Sequence, residues 1–393
     1  MYVERDIREH FEKLHSVSKM IALVGARQSG KTTFLKEHAR NFNSNYVMFD
    51  DPDAREMFDE DIKKFEMQYV AGHELTVLDE VQYCKDAGKK LKYLVDSNHK
   101  LWVTSSSEVI LGKEVLSYLV GRVSVLRLYP FSLNEFLRAK GQRALSEKII
   151  ERSVWEHMTY GGYPQVVLTD SLEIKQVILK SLYETMLLKD VARTFSIDDI
   201  GALERCARYF SETVGGVLSY NGASNALNIS YPTLKKYIDA LEKSYLIVQV
   251  KPFYTNKVKE ITKQPKIYFL DTGMRNVIAN RFDPKSSGSL FENYVLSELL
   301  KMGHTTKYWR TKSKAEVDFV LEIGGNIIPV EVKLKPDIRH VTRSMRAFID
   351  SYKSKVAIVV SYKPCKETLQ VGDCRLMFTD VIGLRTLLQK IKD

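Results

Sequence analysis

Two short stretches hold residues whose types and spacing could do chemistry. The first is Gly25-Ala26-Arg27-Gln28-Ser29-Gly30-Lys31-Thr32-Thr33, which follows the apolar run Met20 to Val24 and opens a helical pattern. The spacing GxxxxGK[ST] between a strand and a helix lets successive backbone N–H groups wrap a β-phosphate, and the helix start adds its dipole. Lys31 is placed to neutralise β- and γ-phosphate charge and Thr32 to ligate magnesium. Its companion is the run Leu75 to Leu78, which ends in Asp79 and Glu80. There Asp79 would hold the magnesium through water and Glu80 would polarise the attacking water, a pair that separates hydrolysis from mere binding. ATP and magnesium are the cofactors this set implies.

The second stretch is EVDFVLEIGGNIIPVEVK, Glu316 to Lys333. Two runs of alternating polarity flank Gly-Gly-Asn, the signal for a tight hairpin. A two-residue loop at Gly324 and Gly325 sets Asp318 opposite Glu331 and Glu316 opposite Lys333. Like charges facing each other destabilise a sheet, so a divalent cation bound by hard oxygen ligands is expected there. Asp318 and Glu331 would hold magnesium or manganese, and Lys333 would orient a water or stabilise developing charge. Upstream, the amphipathic pattern LFENYVLSELLK carries Glu292 beside its core-facing stripe, a third candidate ligand, with Glu316 a weaker one. A helix Glu, a hairpin Asp and Glu-x-Lys in the second strand resemble the PD-(D/E)XK nuclease core, with "EVD" where the Pro-Asp would stand. That resemblance implies phosphodiester cleavage at Glu292, Asp318, Glu331 and Lys333.

The elements that must position these groups can be read in order. The strand KLWVTSSSEVIL ends in Thr104, Ser105 and Ser106, whose hydroxyls are candidate γ-phosphate sensors, and Arg122 in a Gly-Arg turn is a candidate finger on a neighbouring subunit's nucleotide. "GARQSGKTTFL", "VLDEVQ", "VGRVSVLRLYPFSLNEFL" and "YGGYPQVV" together resemble a prokaryotic AAA-type ATPase family that carries a C-terminal domain of formerly unknown function, with "TSSS" where the family tends to have Gly-Ser. Residues 1–140 are therefore expected to form the P-loop core, and 141–213 a helical lid in which Lys189, Asp190 and Arg193 form a solvated face. In 214–282 a short helix, a turn at Asn228 to Ser230, a second helix opened by Ser230 and Pro232, and a β-rich continuation resemble a winged helix. Tyr231, Thr233, Lys235 and Lys236 would reach a DNA groove, with Lys257, Lys259 and Lys263 on phosphates. Residues 283–393, after the joint FDPKSSGS, would hold the nuclease-like domain, closed by the strands KVAIVVSY and CRLMFTD and a last helix.

Bulk properties agree with this division. At 393 residues the chain exceeds one ordinary core. Its excess of +10 basic charges fits a polyanionic partner. Four scattered cysteines without CxxC spacing exclude a disulfide framework and a zinc site. No run approaches the length of a membrane span and the charged start lacks a signal-peptide core, so a cytoplasmic protein without membrane association is expected. The fold class expected is α/β: a P-loop AAA-type ATPase core, a helical lid, a winged helix and a C-terminal restriction-endonuclease-like α/β domain. The function expected is ATP hydrolysis acting on DNA with metal-dependent cleavage, in a homo-oligomer. The alternative is an ATP-driven switch or scaffold, in defence or mobile-element biology, whose nuclease-like domain only binds.

Overall fold

The computed structural model describes residues 2–106, 118–142, 146–186, 191–192, 194–256, 258, 260, 263–282 and 287–392. The chain forms two compact units, the first made of Met1–Phe131, Tyr163–Gln165 and Lys243–Tyr245 and the second of the remainder.

In the first unit five strands, β1 (Met20–Val24), β2 (Ser44–Met48), β3 (Leu75–Asp79), β4 (Leu101–Ser105) and β5 (Val123–Arg127), form a sheet in the order β2-β3-β4-β1-β5. Every pairing is parallel. β1, β3 and β4 are buried along their whole length, which explains why they read as largely apolar runs rather than alternating ones. Phe11 packs edge-on against both Phe34 (4.9 Å) and Trp102 (4.8 Å), tying the helices Arg8–Val17 and Lys31–Ala39 to β4. β1 lies between β4 and β5, with Val24 opposite Ser105 and Arg127. The loop after Val24 therefore opens at the carboxyl edge of the sheet, beside the ends of β3 and β4, where open α/β sheets place ligands.

The second unit begins with helices, among them Glu147–Tyr160, Leu172–Thr185 and Ile200–Glu212. Tyr220–Leu227 and Tyr231–Lys243 follow, joined through Asn228, whose left-handed φ of 52° stops the first helix. Ser230 caps the second by accepting a bond from the Thr233 N–H. β6 (Ile247–Val250) and β7 (Lys266–Phe269) then pair antiparallel.

A six-stranded mixed sheet completes this unit: β8 (Lys307–Arg310), β9 (Glu316–Ile323), β10 (Asn326–Lys333), β11 (Val356–Ser361), β12 (Glu367–Val371) and β13 (Cys374–Asp380), in the order β12-β13-β11-β10-β9-β8. β12 was not legible in its polar sequence ETLQV. The hairpin turn lies at Gly324 and Gly325, with φ of 55° and 79°, and the register runs from Asn326↔Ile323 to Val330↔Phe319. Two expectations need correction here. Beyond Val330 the ladder between β9 and β10 opens: Glu331 and Lys333 face Val359 and Ser361 of parallel β11, while Glu316 faces Arg310 of β8, so Glu316 and Lys333 do not pair. The helix Gly288–Lys301, expected to be amphipathic, is buried without interruption from Asn293 to Leu299, because it packs against both β7 and β10.

Candidate functional site

The geometry of the phosphate loop follows from its glycines. Gly25 has φ 155°, and a Cβ there would stand 2.1 Å from the Leu128 carbonyl oxygen, so only glycine lets the loop leave β1 this close to the chain after β5. Gly30, at φ 99°, turns the chain into the helix Lys31–Ala39. Lys31 is 4% exposed, and its ammonium donates to the carbonyls of Gly25 (2.9 Å) and Ala26 (3.0 Å). Thr32 Oγ1 donates to Asp79 Oδ2 at 2.9 Å. Tyr46 and Thr104 also donate to the Asp79 carboxylate, and burial, then the Asp79 charge, push the Tyr46 phenol well up. The hydroxyl of Ser29 is buried without a partner inside the loop. Loop amides at a helix start, a lysine, and a Thr–Asp oxygen pair beside an orphaned hydroxyl fit a nucleotide triphosphate with magnesium.

Around this loop the structure adds residues that sequence reasoning missed. Arg5 reaches in from the N-terminal segment, donating to Ser29 O (2.9 Å) and Tyr129 O (2.6 Å), with Phe131 beneath its guanidinium at 4.9 Å. Glu80 sits at a left-handed φ of 60°; its N–H bonds Thr104 Oγ1 at 2.9 Å and its carboxylate accepts from Gln82. Gln82 also donates to Ser106 at 3.0 Å, so Ser106 touches Glu80 only through Gln82. Thr104, a candidate sensor, is occupied on both sides by Asp79 and Glu80, and Ser105 is fully buried. The signals for Tyr46 and Gln82 lay in NYVMFD and DEVQ, but nothing in their spacing marks them as hydrogen-bonded to the acids.

The C-terminal carboxylates are arranged differently. Asp318 Oδ2 accepts from the Val332 N–H at 2.8 Å, where the opening of the ladder frees that donor. Burial, then the Glu292 charge, raise the Asp318 carboxyl to about 7. Glu331 is buried, accepts from Thr342 Oγ1, and lies 3.9 Å from the half-exposed Lys333 ammonium. Glu292 and Glu316 meet a residue no motif pointed to: the Lys266 ammonium stands 3.2 Å from Glu292 Oε1 and 2.6 Å from Glu316 Oε1. Tyr268 donates to Glu292 as well. Among the described residues no three His, Cys, Asp or Glu side chains are grouped to hold a metal ion. The expected set Glu292, Asp318 and Glu331 therefore does not fit a divalent ion in this arrangement, because an ammonium and a phenol occupy Glu292 while a hydroxyl and Lys333 flank Glu331. The available signal was a lysine opening the otherwise apolar run KIYFL.

The remaining candidates are dispersed. Tyr231, 41% exposed, lies 5.6 Å from the Tyr220 ring, with Lys235 Nζ 4.8 Å above it. Together with Lys263 and Gln264 these three side chains line one open cleft. Thr233 Oγ1 is bonded to Ser230 Oγ, and Lys236 donates to the Ser196 carbonyl at 2.7 Å, so Lys236 ties its helix to the turn before Ile200–Glu212. Arg122 is exposed and paired with Asp96 at 2.7 Å. Lys257 and Lys259, like Lys189, Asp190 and Arg193, lie outside the described residues. No described helix is long and apolar enough to cross a membrane.

Comparison with known proteins adds to this geometry. Residues 17–137 match the family model described as "AAA domain". Residues 151–285 and 287–381 match two models described as domains of unknown function (DUF8612 and DUF4143). An uncharacterized protein of Haemophilus influenzae is 28% identical over 293 residues, covering 73% of this chain and 72% of its own. One of Methanocaldococcus jannaschii is 25% identical over 358 residues, covering 86% and 79%. Among solved structures, the Walker-type ATPase of Pyrococcus abyssi is similar with a TM-score of 0.46 and 16% identity, over 70% of this chain and 96% of that one. With the loop, Thr32, Asp79 and Glu80 in place on the parallel sheet, the N-terminal part of this chain is an AAA-type ATPase domain.

Proposed function

We propose that the protein is an ATP-hydrolysing switch that acts on DNA. The observation that carries the reading is the contact between Thr32 and Asp79 beside Glu80, at the carboxyl edge of the sheet and next to a loop whose lysine is held by its own carbonyls. Lys31 exchanges those carbonyls for phosphate oxygens, so nucleotide binding replaces one set of bonds with a stronger, charge-assisted one. Magnesium, when bound with the nucleotide, supplies charge neutralisation across the β- and γ-phosphates. Thr32 and Asp79 hold it, and Glu80, steered by Gln82, orients the water. Ser106, through Gln82, links this acid to the end of β4, which is a route from nucleotide state to the rest of the unit.

DNA as the partner is supported by the exposed Tyr231 ring and the half-buried Tyr220 ring with Lys235 over them, since aromatic faces and a lysine at one cleft suit stacked bases and backbone phosphate. The helix pair followed by β6 and β7 is the winged-helix reading of the same region. Arg122, exposed at 41%, suits a finger reaching a neighbouring copy, which makes the working form a homo-oligomer, and a cytoplasmic site of action accords with these partners.

A second reading, metal-dependent phosphodiester cleavage at Asp318, Glu331 and Lys333 with Glu292, needs an arrangement in which Lys266 has left Glu292 and is favoured by one observation: the hairpin opens where Asp318 and Glu331 stand, turning both acids away from a plain cross-strand ladder. The experiment is ATP turnover and cleavage of labelled single-stranded and duplex DNA in magnesium or manganese, for wild type, Lys31→Ala and Asp318→Ala. Turnover raised by DNA and lost in Lys31→Ala, with intact DNA throughout, supports the switch. Cleavage lost in Asp318→Ala establishes the second reading, and turnover that persists in Lys31→Ala sinks the first.

A further inference from the structure

A fully buried lysine between two carboxylates calls for a physical reason. Lys266 is 1% exposed on β7 and its ammonium lies 2.6 Å from Glu316 and 3.2 Å from Glu292, with the rings of Tyr308 and Tyr268 at 5.5 and 6.0 Å. Three separate elements converge on it: β7 brings Lys266 and Tyr268, the helix Gly288–Lys301 brings Glu292, and β9 brings Glu316 and Asp318. Their alignment is enforced from the backbone. Asn293, next to Glu292, accepts from the Phe269 N–H at 2.9 Å and donates to the Phe269 carbonyl at 2.7 Å, and Ser297 donates to the Leu270 carbonyl at 2.6 Å. β7 is thereby held on the helix in one register, which fixes where the ammonium falls. At the outer edge Arg310 Nε stands 3.5 Å from Glu316 Oε2. Two cations thus offset two of the three carboxylates, and the third, Asp318, accepts from the Val332 N–H, so a single acid is left for a divalent ion.

We propose that Lys266 is the built-in cation of this carboxylate cluster, and that Glu292, Glu316 and Asp318 take up a divalent metal only when the ammonium is withdrawn. The inference rests on the nuclease-like reading only for the class of ion, a hard divalent cation with oxygen ligands. A buried acid without a counter-charge is strongly disfavoured, so this ammonium and a metal ion are mutually exclusive occupants. Lys263 and Gln264, the residues just before β7, line the cleft with Tyr231 and Lys235.

The test counts manganese bound to the full chain at pH 8 by the loss of its free electron-paramagnetic signal, in an Asp79→Asn background that removes the phosphate-loop site from the count. Adding Lys266→Gln is expected to create one further site at least tenfold tighter than any in the background, and adding Glu316→Gln to both is expected to abolish it. Lys266→Arg, which keeps the charge, is expected to bind no more manganese than the background. Unchanged binding in a folded Lys266→Gln chain overturns the proposal, as does a site already present in the background and lost with Glu316→Gln. Should Lys266→Gln fail to fold without metal, folding restored by manganese supports the assignment; folding restored by Glu316→Gln with no response to manganese overturns it. Because the readout is binding, absence of DNA cleavage in every variant ends the nuclease reading and leaves this assignment standing. Manganese-dependent cleavage by the chain with Lys266 seated does the reverse.

Discussion

The acid of the phosphate-loop site and the acids of the C-terminal site differ in what donates to them. The described bonds to the Asp79 carboxylate come from three hydroxyls, those of Thr32, Tyr46 and Thr104, and leave its charge uncancelled. Glu292 and Glu316 are met by the Lys266 ammonium. Hydroxyl donors orient a carboxylate while preserving its attraction for a cation, whereas a buried ammonium removes that attraction. One site keeps its carboxylate open to a cation and in the other both glutamates are already offset, although both are built from carboxylates.

Removing the cation from each site is the strongest way to break this contrast. In the first, Lys31→Ala takes away a charge that serves the nucleotide and whose described bonds go to the loop carbonyls of Gly25 and Ala26, so ATP turnover is expected to fall by roughly two orders of magnitude or more, with a smaller change in unfolding midpoint than in the second. Phosphate release and a urea titration on the same preparation check it; a large loss of stability would mean that Lys31 serves the fold. In the second, Lys266→Met leaves two carboxylates facing each other in a buried site. A destabilisation of about 3 kcal/mol is expected, as for other buried pairs broken on one side, with partial recovery on adding Glu316→Gln. Unchanged urea midpoints for Lys266→Met would show that solvent already screens the cluster.

The same contrast explains how much could be read from the chain. The phosphate loop is contiguous: its glycines, Lys31 and Thr32 lie within one turn, and its acids end an apolar strand, so local pattern encodes the site. Four strands of the first sheet, β1 to β4, were legible for a related reason, as β1, β3 and β4 are largely apolar runs, whereas β5, with only Leu126 buried, carries no such run. The C-terminal cluster depends on long-range register instead. Lys266 reaches Glu292 and Glu316 because Asn293 fixes β7 on a helix, a match no spacing reveals. The hairpin turn was readable from Gly324-Gly325, yet nothing in the alternating pattern marks where its ladder ends, after Val330↔Phe319. Arg5 was invisible for a similar reason, since its two carbonyl partners, Ser29 and Tyr129, are brought together only by the fold.

A pH series sharpens the comparison at Asp318. Its carboxyl is raised to about 7, by burial first and then by Glu292, against an unfolded value near the ordinary one. The folded chain therefore holds this proton more tightly than the unfolded chain does. The contribution of Asp318 to stability is most favourable at low pH, falls as pH rises from about 4 to about 7, and its cost is complete above that window. Asp318→Asn keeps an acceptor for the Val332 N–H and carries no charge, so it is expected to be more stable than wild type at pH 8, by roughly 2 kcal/mol given partial access of solvent, and about equal to it near pH 4. Urea midpoints across that range decide the matter; parallel curves would show that Asp318 is ionised throughout.

The smallest expected effect concerns the cleft lined by Tyr220, Tyr231 and Lys235, where contact with DNA would be made by side chains that the fold does not need. Tyr231 is exposed, so Tyr231→Ala is expected to leave the unfolding midpoint in place while weakening single-stranded DNA about tenfold, the loss of one stacked base. Lys235→Ala is expected to weaken binding less at moderate salt but to reduce the salt dependence by about one ion, because a lysine on phosphate contributes through counterion release. The two variants therefore separate by shape as well as by size: parallel salt plots for Tyr231→Ala and wild type, a shallower one for Lys235→Ala. Lys236→Ala is the internal contrast, since its ammonium is bound to the Ser196 carbonyl and its loss should move stability rather than affinity. If Lys236→Ala weakens DNA as much as Lys235→Ala does, the nucleic-acid face extends along the helix instead of being confined to the tyrosine cleft.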